Sequence, residues 1–175
     1  MRLPAEWEEQ SGVQLTWPHE KSDWKDDLEL VEPVFVKIGV EVSKREKLLV
    51  VCANSAHVMG LLSQAGAVME NVLAIQLPSN DTWARDHGAI TVDVNGVNML
   101  NDFTFNGWGN KFEAGLDNKI SRQLKEFGLF GEIPFKSLSM VLEGGGIESD
   151  GNGTLLTTSP VSYTHLRAHE TRMVI

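Results

Sequence analysis

Cysteine is nearly absent: the 175 residues contain one, Cys52. A single cysteine excludes an intramolecular disulfide and a cysteine-rich zinc site. It sits in Leu48-Leu49-Val50-Val51-Cys52-Ala53, an apolar run that reads as a buried strand, so its first reading is a small core residue. Long hydrophobic runs are absent too. No 18-residue apolar stretch exists, which argues against a membrane span. The opening Met1-Arg2-Leu3-Pro4-Ala5-Glu6 has no apolar signal core, and the default compartment is therefore the cytoplasm. Positive charge is in deficit, with a formal net charge of -9. A nucleic-acid partner, which needs Lys and Arg in excess over phosphate, is not expected. An acidic balance mildly favours a small cationic partner, although solubility alone accounts for most acidic proteins.

What is present is ordinary for one globular domain: 42% hydrophobic and 22% charged residues. Strands and helices alternate along the chain. Val13 to Trp17 reads as a short strand stopped by Pro18. Pro33 suits a helix's first turn, with Phe35, Ile38 and Val42 following at helical spacing. Residues 48–53 form a strand. Ser55 caps a helix to about Ala65, with Val58, Leu61, Leu62 and Ala65 on one face and Gly66 as stop. Val72 to Leu77 is another strand. Asn95-Gly96 predicts a type I′ hairpin between residues 89–94 and 97–103. A helix is predicted over 112–127, with Phe112, Leu116, Ile120, Leu124 and Phe127 on one face and Gly128 closing it. A second hairpin pairs residues 138–148 with 154–158 around Asp150-Gly151-Asn152-Gly153. The fold class is α/β.

Residues 159–175 break the pattern. They hold the only Tyr and two of the five His, show neither strand nor helix period, and carry net +1 from Arg167 and Arg172 against Glu170. We expect a domain over residues 1–158 and a non-native or disordered tail over 159–175, of read-through or adaptor origin. His165 and His169, followed by Glu170, do not have the zinc-protease order, and no metal site is expected.

Three polar clusters carry chemistry. Asn80-Asp81-Thr82-Trp83-Ala84-Arg85-Asp86-His87-Gly88 lies between two strands, where sites are commonly built. A carboxylate there can accept paired N–H bonds from a planar guanidinium, and a tryptophan can stack on its face. The rival reading is a turn in which Asp81 caps backbone amides and Arg85 pairs with a neighbouring acid. The second cluster is Leu142-Glu143-Gly144-Gly145-Gly146-Ile147-Glu148, an acid followed by three glycines that let the backbone approach something closely. No Gly-Lys-Ser/Thr follows, so it is not a phosphate loop, and a plain hairpin is the alternative. The third is Phe105-Asn106-Gly107-Trp108-Gly109, a tight loop that presents an aromatic.

Taken in order with Pro4-Ala5-Glu6-Trp7-Glu8 and Trp17-Pro18-His19, these segments resemble the agmatine deiminase family, also called the bacterial-type peptidyl-arginine deiminase family. The resemblance covers residues 1 to about 158. It implies the pentein-type α/β propeller of ββαβ units in pseudo-fivefold symmetry, present here as a partial propeller. It implies a hydrolase that needs no cofactor, and a guanidinium substrate attacked by a Cys thiolate. The covalent thiouronium intermediate is then hydrolysed, with a His as general acid and base. Carried over, Asp86 is the substrate-binding carboxylate, Glu143 is the acid supporting the catalytic His or a substrate nitrogen, and Trp83 and Trp108 are pocket walls. Family members are about twice this length, and their nucleophilic Cys and catalytic His belong to the second half. Neither Cys52 nor His165 nor His169 fits those positions. The expectation is thus an N-terminal half, itself inactive, of a parent that converts agmatine to N-carbamoylputrescine and ammonia. The alternatives are a peptidyl-arginine deiminase and a non-catalytic guanidinium-binding module. A homo-oligomeric parent is left open.

Overall fold

Leu48, Val50, Val51 and Cys52 all bury essentially their whole surface. A run so continuously apolar belongs at the centre of a parallel sheet covered on both faces, and that is where the computed structural model, which describes residues 1–157, has it. Two compact units divide the chain, Glu9–Ala84 and Met1–Glu8 with Arg85 onward.

In the first unit β2 (Lys47–Cys52) lies between β1 (Gly12–Thr16) and β3 (Val72–Gln76), parallel to both. The registers run from Gly12 opposite Lys47 and from Leu48 opposite Val72. Helices α1 (Leu28–Ser43) and α2 (Ser55–Gln64) make the crossovers. Trp17, Leu48, Val50, Cys52, Val58, Leu62 and Val72 form the core. Gly39 of α1 meets Leu62 so closely that a Cβ would lie 2.7 Å from its Cδ2.

Expectations for these helices are corrected. Helix α1 begins at Leu28, and Pro33 lies in its second turn. The Ser22–Asp27 turns already set the helix going, with Leu30 and Val31 N–H donating to Asp27 O, so proline removes only one internal donor. Ile38, read at helical spacing with Phe35 and Val42, is 42% exposed, whereas those two pack on the core. The cap of α2 is Asn54, whose Oδ1 accepts from His57 N–H at 3.1 Å, rather than Ser55.

In the second unit α3 (Ala84–His87) is a single turn leading into the antiparallel pair β4 (Ile90–Val94) and β5 (Val97–Thr104). Asn95 and Gly96 both have positive φ, 56° and 84°, as a type I′ turn requires. A one-turn element α4 (Gly107–Asn110) and helix α5 (Ile120–Glu126) follow, then β6 (Phe135–Val141), β7 (Ile147–Ser149) and β8 (Leu155–Thr157). Strand β6 runs parallel to β5, and β7 pairs antiparallel with β8.

Here too the structure differs from expectation. The predicted helix over 112–127 is regular only from Ile120, after a 3-10 turn at Asp117–Lys119. Ile120 and Leu124 are buried, but Phe112 and Phe127 are more than half exposed. The predicted strand 138–148 breaks at the glycines, so β6 joins β5 and only Ile147–Ser149 forms the hairpin. Residue 158 and the stretch 159–175 lie outside the described residues.

Candidate functional site

The α3 turn carries Asp86 toward the loop that follows β6. In that loop Glu143 is half-buried in extended conformation and opens a 3-10 turn over Gly144–Gly146. Gly145 N–H donates to Asp86 Oδ1 at 3.1 Å. A Cβ on Gly145 would lie 2.4 Å from that oxygen, and one on Gly144 would lie 2.2 Å from the carbonyl oxygen of Arg85. The glycine run therefore has a definite cause: the backbone behind Glu143 packs directly on the turn that holds Asp86. The two clusters are 57 positions apart, and the fold joins them.

The third cluster comes to the same carboxylate. The Trp108 side chain is among the groups that favour the ionised form of Asp86. Burial pushes the Asp86 carboxyl above the usual range, opposed by the Gly145 N–H, the Arg85 charge and the Trp108 contact. Asp86 is thus a partly desolvated carboxylate that accepts the Gly145 N–H.

Its neighbours play other parts. The Arg85 guanidinium pairs with Glu6, lies 4.0 Å from Glu148, and donates to Ile147 O at 3.2 Å. Asp81 Oδ1 accepts from Thr82 N–H at 2.8 Å. Asp81 caps a backbone amide within the turn, whereas Arg85 pairs with acids remote in sequence rather than with a neighbour. His87 is 3% exposed, and burial pushes its imidazole down to about 4. It is neutral at pH 7 and unsuited to proton transfer there. Cys52 is buried, its thiol pushed up to about 11 by desolvation, which makes it a poor nucleophile.

Trp83 belongs to the first unit, where it is 41% exposed with its ring centroid 6.3 Å from that of Trp24. Trp24 in turn donates to Thr82 Oγ1 at 2.9 Å. Trp17 is a core residue, 2% exposed, with its indole N–H on Glu32 at 2.9 Å. His19 meets Ser79 Oγ at 3.1 Å. His165 and His169 lie outside the described residues.

Known proteins share this chain's sequence and fold. The sequence model of the Porphyromonas-type peptidyl-arginine deiminase family matches residues 2–172. The chain belongs to that family. An agmatine deiminase from Medicago truncatula is 32% identical over 170 residues, covering 89% of this chain and 44% of that protein. A C. jejuni agmatine deiminase, a Cys-to-Ser variant with substrate bound, superposes with a TM-score of 0.82 at 35% identity, over 96% of this chain and 49% of the other. A Porphyromonas gingivalis chain provisionally named arginine deiminase gives 0.84 at 45%, over 93% and 48%. The fold is the pentein-type α/β fold of these deiminases. The chain spans under half the length of each of these relatives.

Sequence reasoning in this family member missed Glu6 and Glu148 as partners of Arg85, and Gly145 as a donor rather than a spacer. The signal for Gly145 was there: a glycine with no turn to serve faces something close. Nothing local marked Glu6, because its partner stands 79 positions away. Among the described residues no helix is long and apolar enough to cross a membrane.

Proposed function

We propose that this chain supplies the guanidinium-holding side of an agmatine deiminase-type hydrolase. The whole protein converts agmatine and water to N-carbamoylputrescine and ammonia, a step in making polyamines from arginine. A thiolate attacks the guanidinium carbon, ammonia leaves, and water releases the ureido product from the thiouronium. The thiolate and the general acid–base His come from the part of the family's length that this chain does not span. Asp86 accepts N–H bonds from the guanidinium and fixes its carbon for attack. Glu143 supports the catalytic His or a substrate nitrogen. Trp108 borders the pocket, and Trp83 is assigned to a wall by the resemblance alone. The cytoplasm, where polyamine precursors are made, is the setting that suits this substrate.

One observation carries the reading. Asp86 is drawn partly out of water and, among the described residues, forms no salt bridge with an arginine or lysine: Arg85, its sequence neighbour, is engaged with Glu6, Glu148 and Ile147 O. A partly desolvated carboxylate that accepts a backbone N–H suits a planar cation. The family description also names peptidyl-arginine, so the substrate assay compares agmatine with a blocked arginine peptide. In the family-length protein Asp86→Asn removes a charge-assisted contact of about 1.5–3 kcal/mol. The expected result is kcat/KM for agmatine lowered about tenfold or more. Unchanged ureido-product formation by that variant would rule out the role of Asp86, and turnover of the peptide alone would replace agmatine as substrate.

A further inference from the structure

The chain has a guanidinium of its own beside the carboxylate assigned to grip one. Arg85 and Asp86 are consecutive residues of α3, and both lie against the same glycine: a Cβ on Gly145 would be 2.4 Å from Asp86 Oδ1 and 3.8 Å from Arg85 Cγ. Beyond Cγ the Arg85 side chain still has Cδ, Nε and the guanidinium carbon to extend, so the carboxylate is within its reach. An arginine closed on Asp86 would occupy the lone pairs that a guanidinium substrate needs. Instead Arg85 Nη2 pairs with Glu6, donates to Ile147 O at 3.2 Å and lies 4.0 Å from Glu148. Glu6 comes from the opening segment, which is tied down on both sides of it. Arg2 N–H donates to Asp93 O and Asp93 N–H to Arg2 O, each at 2.9 Å, so the segment runs beside β4. Ser149 Oγ donates to Leu3 O at 2.7 Å, which ties it to β7. The Arg2 guanidinium is bidentate on Glu8, at 2.6 and 2.9 Å, and Ala5 N–H donates to Glu8 Oε1 at 2.8 Å. Pro4-Ala5-Glu6-Trp7-Glu8 is thus part of a fastened strap that delivers Glu6 to Arg85.

We propose that Glu6 is a positioning residue: the strap carries it onto Arg85, so that the chain's own guanidinium stays off Asp86 and the carboxylate remains open to substrate. This deepens the proposed function and rests on it. Glu6 acts through Arg85 and touches no reacting atom. Fastening the strap is a weaker account of the pair. The Arg85 and Glu6 side chains are 53% and 56% exposed, and an ion pair so exposed contributes little to stability. Arg2, Glu8 and Ser149 already hold the segment. What the pair decides is where the guanidinium rests. The other charged groups near Asp86 are Glu148, which shares Arg85, and Glu143 at the head of the loop that carries Gly145; His87 beside it is buried and neutral. A cation that closes on a carboxylate favours its ionised form, so a released Arg85 would lower the titration midpoint of Asp86.

The test is a double-mutant cycle between Glu6 and Arg85 in this chain. It follows the Asp86 carboxyl carbon by NMR through a pH titration, with Asp86→Asn identifying the signal and agmatine as the probe. Glu6→Gln should lower the Asp86 midpoint of the free chain by about half a pH unit and weaken agmatine binding about threefold. In the Arg85→Gln background the same change should move neither quantity, because no guanidinium is left to release. A strap that comes loose in Glu6→Gln also releases Arg85, so the cycle decides that case as well. If Glu6→Gln does not fold, Glu6→Asp, which keeps the charge but is one methylene shorter, takes its place. A midpoint and affinity that shift equally in both backgrounds would report a plain loss of negative charge and overturn the positioning role, as would no shift in either. In the wild type agmatine should itself lower the Asp86 midpoint. Indifference to agmatine sinks the deiminase reading and the purpose given to Glu6 with it, whereas a responsive wild type beside an uncoupled cycle overturns the positioning role alone.

Discussion

The two units of this chain solve packing in opposite ways. In Glu9–Ala84 the close contacts knit regular elements together: Gly12 of β1 meets the Lys47 carbonyl oxygen of β2, Gly39 of α1 admits Leu62, and Cys52, Val58 and Leu62 vanish into one core. Among the described residues every non-glycine with positive φ, Asn95, Trp108 and Asn110, lies in the other unit. There the tight glycines face polar groups, Gly144 the carbonyl oxygen of Arg85 and Gly145 the Asp86 carboxylate. One unit is a scaffold that satisfies sequence preference at nearly every position. The other departs from preference where a carboxylate must be held in one orientation.

The sharpest way to break this contrast is in the core of the first unit. Leu62→Ala removes a fully buried side chain from the contact between α1 and α2 and should cost about 2–5 kcal/mol in a urea melt. A smaller loss would mean that the parallel sheet is less tightly packed than its burial indicates. In the second unit the comparable quantity is electrostatic. The unfolded His87 imidazole titrates near 6.5 and the folded one near 4, so the unfolded chain takes up the proton first. Stability is complete above pH 6.5 and falls as pH drops toward 4, by at most ~3 kcal/mol. His87→Gln should flatten that fall, seen in midpoints measured at pH 7 and pH 5; an identical slope in the variant would assign the pH dependence elsewhere.

Next in size is Gly144→Ala, whose methyl would have to displace the backbone oxygen of Arg85. The expected loss is about 1–3 kcal/mol, with faster amide exchange around Asp86 than around β2. Equal protection at both places would dissolve the distinction between the units. Smallest is Gly60→Ala in α2, where an added Cβ meets nothing within 4 Å. It should raise the melting free energy by roughly 0.5–1 kcal/mol. A destabilised variant would show that the first unit also has hidden constraints.

Much of the scaffold was legible because its signals are local. Asn95-Gly96 has few alternatives to a left-handed two-residue turn, and Gly66 and Gly128, at φ 84° and 78°, end their helices as read. The helix over 112–127 was misread because Phe112 and Leu116 have helical spacing with Ile120, yet the left-handed turn at 107–110 sends the chain through 111–116 on another path. The strand over 138–148 was misread because strand period does not reveal a partner. Pairing β6 with β5 depends on residues more than 30 positions away. At the site, residue types near Asp86 and Glu143 suggested a grip on a cation. The same stretch also contained Asp81, which caps an amide of the turn, and Arg85, which pairs with distant acids.

Sequence alone determined the α/β alternation, the buried β2 strand, the turn positions and the family, because each is written in short-range spacing or in ordered motifs. Tertiary structure alone decided that the Gly145 N–H reaches Asp86, and that Arg85 is taken by acids from elsewhere. The reason is physical. Hydrophobic period and turn chemistry act over a few residues, whereas the surroundings of a carboxylate are set by groups that only the folded chain brings within hydrogen-bonding range.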